Sequence, residues 1–155
     1  MFALGLAVAL ACPTIDSSKI IKSSLFGHWT ITGIIESRAS RGDIKLARPY
    51  IGQQLYFSES QFKVGQEVIP RPKYKARSWS DDDQIYFFHS QLSDLGIREP
   101  CVTEVEIVNN RGVEISSIGT WALLPSKNRL ITVWDGVYFE ASRTAALGDN
   151  SRNRG

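Results

Sequence analysis

The sequence is poor in the residues that most often carry chemistry. It has two histidines, His28 and His89, and two cysteines, Cys12 and Cys101, in 155 residues. Neither histidine stands at a metal-ligand spacing from a cysteine or a carboxylate, so no zinc site and no metal is expected. Charge of one sign is lacking too. A formal net charge of +2 is far from the strongly basic, clustered composition of a nucleic-acid binder, and no nucleic-acid partner is expected. A Gly-x-Ser-x-Gly elbow, a P-loop and a dinucleotide fingerprint are all missing. No spacing supports a nucleophile, base and orienting group together, so the chain reads as a non-enzyme without a cofactor. Internal repeats, low-complexity blocks and long helical periodicity are absent.

Long hydrophobic runs are also missing. The longest, Phe2 to Cys12 (FALGLAVALAC), is 11 residues, short of the roughly 20 that span a bilayer. Its small apolar residues and the Ala9-Leu10-Ala11 triplet suit a secretory signal, residues 1–11, although the basic leading segment is missing. The alternative is an apolar first element of the fold. Export places the protein in a bacterial periplasm or cell envelope, and there two cysteines permit a Cys12–Cys101 disulfide. Two other fates stay open: lipidation of Cys12, since Ala9-Leu10-Ala11-Cys12 approaches a lipobox and would give the only membrane attachment, or two unpaired thiols.

A chain of this length makes one domain. After a polar lead-in, 12–24, the apolar period is mostly two. His28 to Ile35 alternates around Trp29, Ile31 and Gly33 and is rich in β-branched residues. Strands are expected at Tyr50–Phe57 and Gln61–Ile69, joined as a hairpin, then Tyr74–Trp79, Gln84–His89, Val102–Val108, Val113–Leu124, Arg129–Trp134 and Val137–Arg143. Ala39–Pro49, which contains Arg41-Gly42-Asp43, reads as a loop. Pro70-Arg71-Pro72 breaks a strand. Asp81-Asp82-Asp83 reads as a solvated turn, with calcium ligation the weaker alternative because adjacent acids do not share a face. Asn109–Gly112, Pro125–Asn128 and Asp135-Gly136 carry turn chemistry. Ser90–Ile97 is the one short helical turn, with Gly96 as its C-cap. Turn signals at roughly ten-residue intervals predict an all-β fold, an antiparallel up-and-down barrel of about eight strands. It would occupy 25–143, followed by a disordered tail, 144–155.

Gly27-His28-Trp29, opening the first strong strand, and Arg143, following the last, resemble the signature of lipocalins and related calycins. The resemblance covers the strand pattern but only these three specific residues, and the family's Thr-Asp-Tyr motif is missing. It implies that Trp29 plugs one end of the barrel and that the Arg143 guanidinium stacks on its indole, with Gly27 serving the same structural corner.

Candidate binding residues follow from a barrel that holds an apolar ligand with a few polar contacts: Tyr56, Tyr74, Arg77, Tyr86 and Trp121. Glu104 and Glu106 share one strand face and could do acid–base work, but flanking valines favour a half-exposed strand surface. Arg71, Lys73, Lys75 and Arg77 would line one face of a strand. The aromatic stock (Trp79, Tyr86, Phe87, Phe88, Trp121, Trp134, Tyr138, Phe139) exceeds what one inner face needs, and the surplus points to cover by another element or to a partner surface. The leading expectation is therefore a monomeric, exported binding barrel for an apolar small molecule or lipid. The alternative is a protein-binding inhibitor or immunity protein that neutralises a hydrolase or toxin.

Overall fold

The structure, a computed structural model, describes residues 11–145. Most of the expected signal segment and the tail from 146 onward therefore lie outside the described residues. The described residues form nine strands: β1 (Gly27–Ile34), β2 (Gln54–Phe57), β3 (Gln61–Val64), β4 (Glu67–Pro70), β5 (Lys73–Ser80), β6 (Cys101–Val108), β7 (Trp121–Ser126), β8 (Arg129–Trp134) and β9 (Val137–Arg143). They make one antiparallel sheet in the order β4-β3-β2-β1-β9-β8-β7-β6-β5. Two meanders, β1 to β4 and β5 to β9, are thus welded where the last strand pairs with the first, Trp29 opposite Arg143 and Ile31 opposite Ala141. The antiparallel all-β meander expected from the turn spacing is what the chain forms, with nine strands instead of about eight. Right-handed strand twist curls the sheet into a half-barrel, whose edges are β4 and β5.

Alternation along the strands gives the sheet two faces with different fates. On the concave face one register row runs Ala76–Val105–Ala122–Thr132–Phe139. With Trp29, Ile31, Leu55, Phe57, Phe62, Ile107 and Leu130 it forms the main core, and these apolar side chains are almost wholly buried. Phe57 and Phe62 stack with ring centroids 4.9 Å apart. From the convex row Arg77–Glu104–Leu123–Ile131–Glu140, Leu123 and Ile131 enter a second core, with Trp79, Val102 and Tyr138 on the sheet and Leu92, Leu95 and Ile97 above it. A sheet with apolar side chains on both faces must be covered on both.

The convex cover is where the sequence reading needs its main correction. Asp81-Asp82-Asp83 is not a turn and Gln84–His89 is not a strand: Asp81–Phe88 is an α-helix. Ser80 and Asp83 form a reciprocal capping box, and the three aspartates sit in the first turn, where the helix dipole favours them. His89 ends the helix in the left-handed region at φ 53°. Gln84 and Phe88, four residues apart, face the sheet, while Ile85, Tyr86 and Phe87 between them are exposed. Apolar residues on the solvent side removed the amphipathic signal. Leu92–Leu95 forms the expected helical turn as a 3-10 element, with Gly96 at its C-cap. Arg129 ties this turn to the sheet, donating to the Leu95 carbonyl at 2.8 Å and pairing with Glu140 at 3.1 Å.

Smaller departures have local causes. Gln61–Ile69 is two strands, because Gly65 takes φ 56° and turns β3 back as β4. Val113–Leu124 is a strand only from Trp121, since Asn109 Oδ1 accepts from Arg111 N and Val113 N and holds the preceding residues as a loop. Within the Ala39–Pro49 loop, α2 (Ile44–Ala47) starts on the Asp43 carboxylate. The lead-in is also ordered: α1 (Ser17–Ile20), capped by Asp16, runs into a π-helical turn Ile21–Leu25. Thr144, assigned from sequence to the tail, bonds back to β1 through His28 O and the Thr30 hydroxyl.

The lead-in covers the β5 edge. Ala76 N donates to Ser17 Oγ at 3.0 Å, and the Ser78 hydroxyl bonds Pro13 O. A Cys12–Cys101 disulfide fixes the segment to the start of β6. The β4 edge is only four residues long and ends in Pro70, a common way to discourage strand addition. No helix among the described residues is long and apolar enough to cross a membrane.

Candidate functional site

The best-defined constellation is structural. Trp29 is fully buried and its indole N–H donates to the Leu25 carbonyl at 2.8 Å. The Arg143 guanidinium lies over that indole, 4.3 Å from the ring centroid. Its nitrogens donate to the carbonyls of Lys127, Phe26 and Ser24 at 2.8, 2.7 and 2.7 Å. Burial holds the Arg143 pKa below its ordinary value. Gly27 is required beneath it: its φ is +123°, and a Cβ there would stand 2.8 Å from Arg143 Nη1. Arg143 thus stitches the last strand, the π-helical turn and the β7–β8 turn into one corner. It closes one end of the concave core.

The five candidate binding residues do not converge. Tyr56 is on the convex face of β2, stacked on His28 at 4.4 Å beside Gln54, Gln61 and Lys63. Tyr74 spans the gap between the sheet edges: its hydroxyl donates to Ser58 O at 2.7 Å, its ring meets Phe26 edge-on, and burial raises its pKa. Tyr86 is the most exposed aromatic among the described residues, 77% accessible on α3 (Asp81–Phe88). Only Arg77 and Trp121 come together, on the convex face.

They do so in a cleft of about 370 Å³ bounded by β5, β6, α3 and the loop 109–120. Trp79, Phe87, Phe88 and Trp121 supply its apolar walls, and Glu104, Glu106 and Glu114 supply carboxylates. The rings form a connected set: Trp79 meets Trp121 edge-on at 5.7 Å, and Phe88 lies 5.0 Å from Trp121. Arg77 sits at one end. Its Nε donates to Glu104 Oε2 at 2.9 Å, and its guanidinium lies 4.8 Å from the Trp79 centroid and 5.9 Å from that of Phe87. Burial pushes the Glu104 carboxyl above the usual carboxylate range, with Arg77 and the Trp121 side chain pulling the other way. The arrangement is a guanidinium held between a buried acid and two ring faces.

Beneath this cleft α3 is bolted to the sheet by a buried polar network. Trp79 Nε1 donates to Gln84 Oε1 at 3.0 Å, and Gln84 Nε2 donates to Ser90 Oγ and Tyr138 Oη at 2.9 and 3.0 Å. Burial moves the Tyr138 phenol up to about 12. Sequence reasoning missed Gln84 altogether, and the signal that would have found it is Ser80-x-x-Asp83, a helix start that puts Gln84 on the inner side of the first turns. Among the described residues, no group of three or more His, Cys, Asp or Glu could hold a metal ion.

No protein-family model, no curated protein and no solved structure matches this chain. The function must therefore be read from the residues themselves.

Proposed function

We propose that this chain is a small exported, non-enzymatic binding protein that recognises another protein through its convex face, in the manner of an inhibitor or immunity protein. The observation that carries the reading is the contrast between the two faces. The concave face, where an apolar ligand would sit, is filled by its own side chains from Trp29 through Phe139. The convex face offers an open aromatic cleft next to an exposed patch of Ile85, Tyr86 and Phe87, the last 53% accessible. Large exposed aromatics around a cleft are the usual make-up of a protein contact. The carboxylates of that cleft favour a partner that presents basic residues.

Export is supported by the apolar Phe2–Cys12 run and by the disulfide, which belongs to oxidising compartments. The Gly27–Trp29–Arg143 corner supports a lipocalin-like scaffold, here used for its outer surface.

The test is recovery of a partner from the envelope of the native host. Wild-type protein is compared with a Tyr86→Ser, Phe87→Ser variant and with Tyr56→Ser, which alters the far side of the convex face. The reading predicts a partner whose yield falls at least about tenfold in the α3 variant, the cost of two interface aromatics, and is unchanged in Tyr56→Ser. Equal recovery by all three would overturn it.

A further inference from the structure

The convex cleft already shows what it accepts, because Arg77 occupies one half of it. Its guanidinium is held by Glu104 and by the faces of Trp79 and Phe87. The other half repeats the same materials without a cation of its own. Trp121 and Phe88 form the ring pair there, and Glu106 and Glu114 are the acids. Three carboxylates line the cleft against one arginine. Lys75 is a further cation on the same strand face. It stands opposite Glu106 across β5 and β6, but it makes no ion pair within 4.0 Å: the pairs among the described residues are Arg38–Asp94, Arg77–Glu104 and Arg129–Glu140. Glu106 and Glu114 therefore keep acceptor capacity beside an aromatic wall, the combination that receives organic cations.

We propose that this second half-cleft receives one arginine or lysine side chain from a loop of the partner protein, its stem along Trp121 and its charge against Glu106 and Glu114. The inference rests on the reading that the convex face is a protein-docking surface, and it names the residue type that surface selects. Arg77 serves as a fixed neighbour that holds Trp79 and Glu104 in place, so that the incoming cation meets Trp121 and the two free acids. An acidic loop would meet the carboxylates of Glu106 and Glu114 here, which makes the half-cleft the specificity element of the surface.

The test uses labelled, disulfide-intact protein and follows the Trp121 indole N–H signal by NMR. Probes are the capped tripeptides acetyl-Gly-Arg-Gly-amide and acetyl-Gly-norleucine-Gly-amide. The Trp134 signal, from a different cleft and packed against the core of the opposite, concave face, is the internal control. The proposal predicts a saturable shift of Trp121 with the arginine peptide, none with norleucine, and none at Trp134. A Glu106→Gln, Glu114→Gln variant weakens the response about tenfold, from two partly solvated ion pairs. Lys75→Gln, which removes the competing cation, strengthens it. Equal responses to both peptides, or an undiminished response in the double Gln variant, overturn the proposal. A silent titration alongside α3-dependent partner recovery removes the cation half-cleft and leaves the docking face. A specific titration with no α3-dependent partner removes the protein-docking reading instead.

Discussion

Arg143 should be worth far more than a half-exposed surface arginine. Replacing it with alanine removes three hydrogen bonds to carbonyls of two separate segments, at 2.7 to 2.8 Å, and uncovers the Trp29 ring it overlies at 4.3 Å. Those carbonyls lie near the surface and recover some water, so about 1 kcal/mol each is a fair net value. The cation–π contact adds about 1 kcal/mol, for a total of about 3 to 4 kcal/mol. With a urea slope of about 2 kcal/mol per molar, the unfolding midpoint of Arg143→Ala should fall by about 1.5 to 2 M. Arg143→Lys keeps the charge but not the planar fork, and should lose about half as much. Gly27→Ala adds an independent check. Its φ of +123° is strained for any side chain, and its Cβ would stand 2.8 Å from Arg143 Nη1. Backbone strain costs alanine about 1 to 3 kcal/mol in either background, but the clash exists only while Arg143 is present. Gly27→Ala should therefore cost less in an Arg143→Ala protein than in the wild type. A midpoint shift under about 0.5 M for Arg143→Ala, or strict additivity of the two changes, would refute this account of the corner.

Three further expectations follow from other parts of the molecule. The Cys12–Cys101 bridge closes a separation of 89 residues, so Cys12→Ser with Cys101→Ser should cost about 4 kcal/mol in a urea titration and expose the β5 edge to faster proteolysis. Gln84→Leu strands the Trp79 indole N–H while removing the donor to Ser90 and Tyr138. It should lower stability by about 2 to 3 kcal/mol, with loss of near-ultraviolet dichroism from Trp79. Asp94 is held below the usual carboxylate range, first by the Gln91 backbone N–H and then by Arg38. A lowered folded pKa means stability that is present above the unfolded aspartate range and lost as pH falls from there through the lowered folded value. Asp94→Asn should thus lower the urea midpoint at pH 7, and the gap to wild type should close as the pH drops below that range.

Most of the sheet was legible because its signals are local. Val137–Arg143 and Arg129–Trp134 are short runs rich in β-branched and aromatic residues between turn signals, and they form β9 and β8 at those bounds. The Trp29–Arg143 approach came from a resemblance, since no local rule links residues across the whole chain. What escaped was helical. Ile85, Tyr86 and Phe87 are apolar on the solvent side of α3, so Gln84–His89 reads as a strand by composition, and only the Ser80–Asp83 capping box marks the helix. The cleft was half visible. Arg77 and Trp121 were singled out, yet the register that sets Arg77 beside Glu104 and Glu106 beside Trp121 is non-local. The same non-locality put Tyr56 and Tyr74 into an imagined common cavity, where the fold gives one to the convex face and the other to the seam between edges.

The central claim, that this protein works from its convex face, is tested most directly by photo-crosslinking in the native host. A photoreactive phenylalanine analogue replaces Tyr86 in one strain and Lys63, on the polar side of the same face, in another. The account predicts a discrete protein adduct from position 86, mapping to a basic loop of the partner, and none from position 63. Adducts from both positions alike, or from position 63 alone, would contradict it.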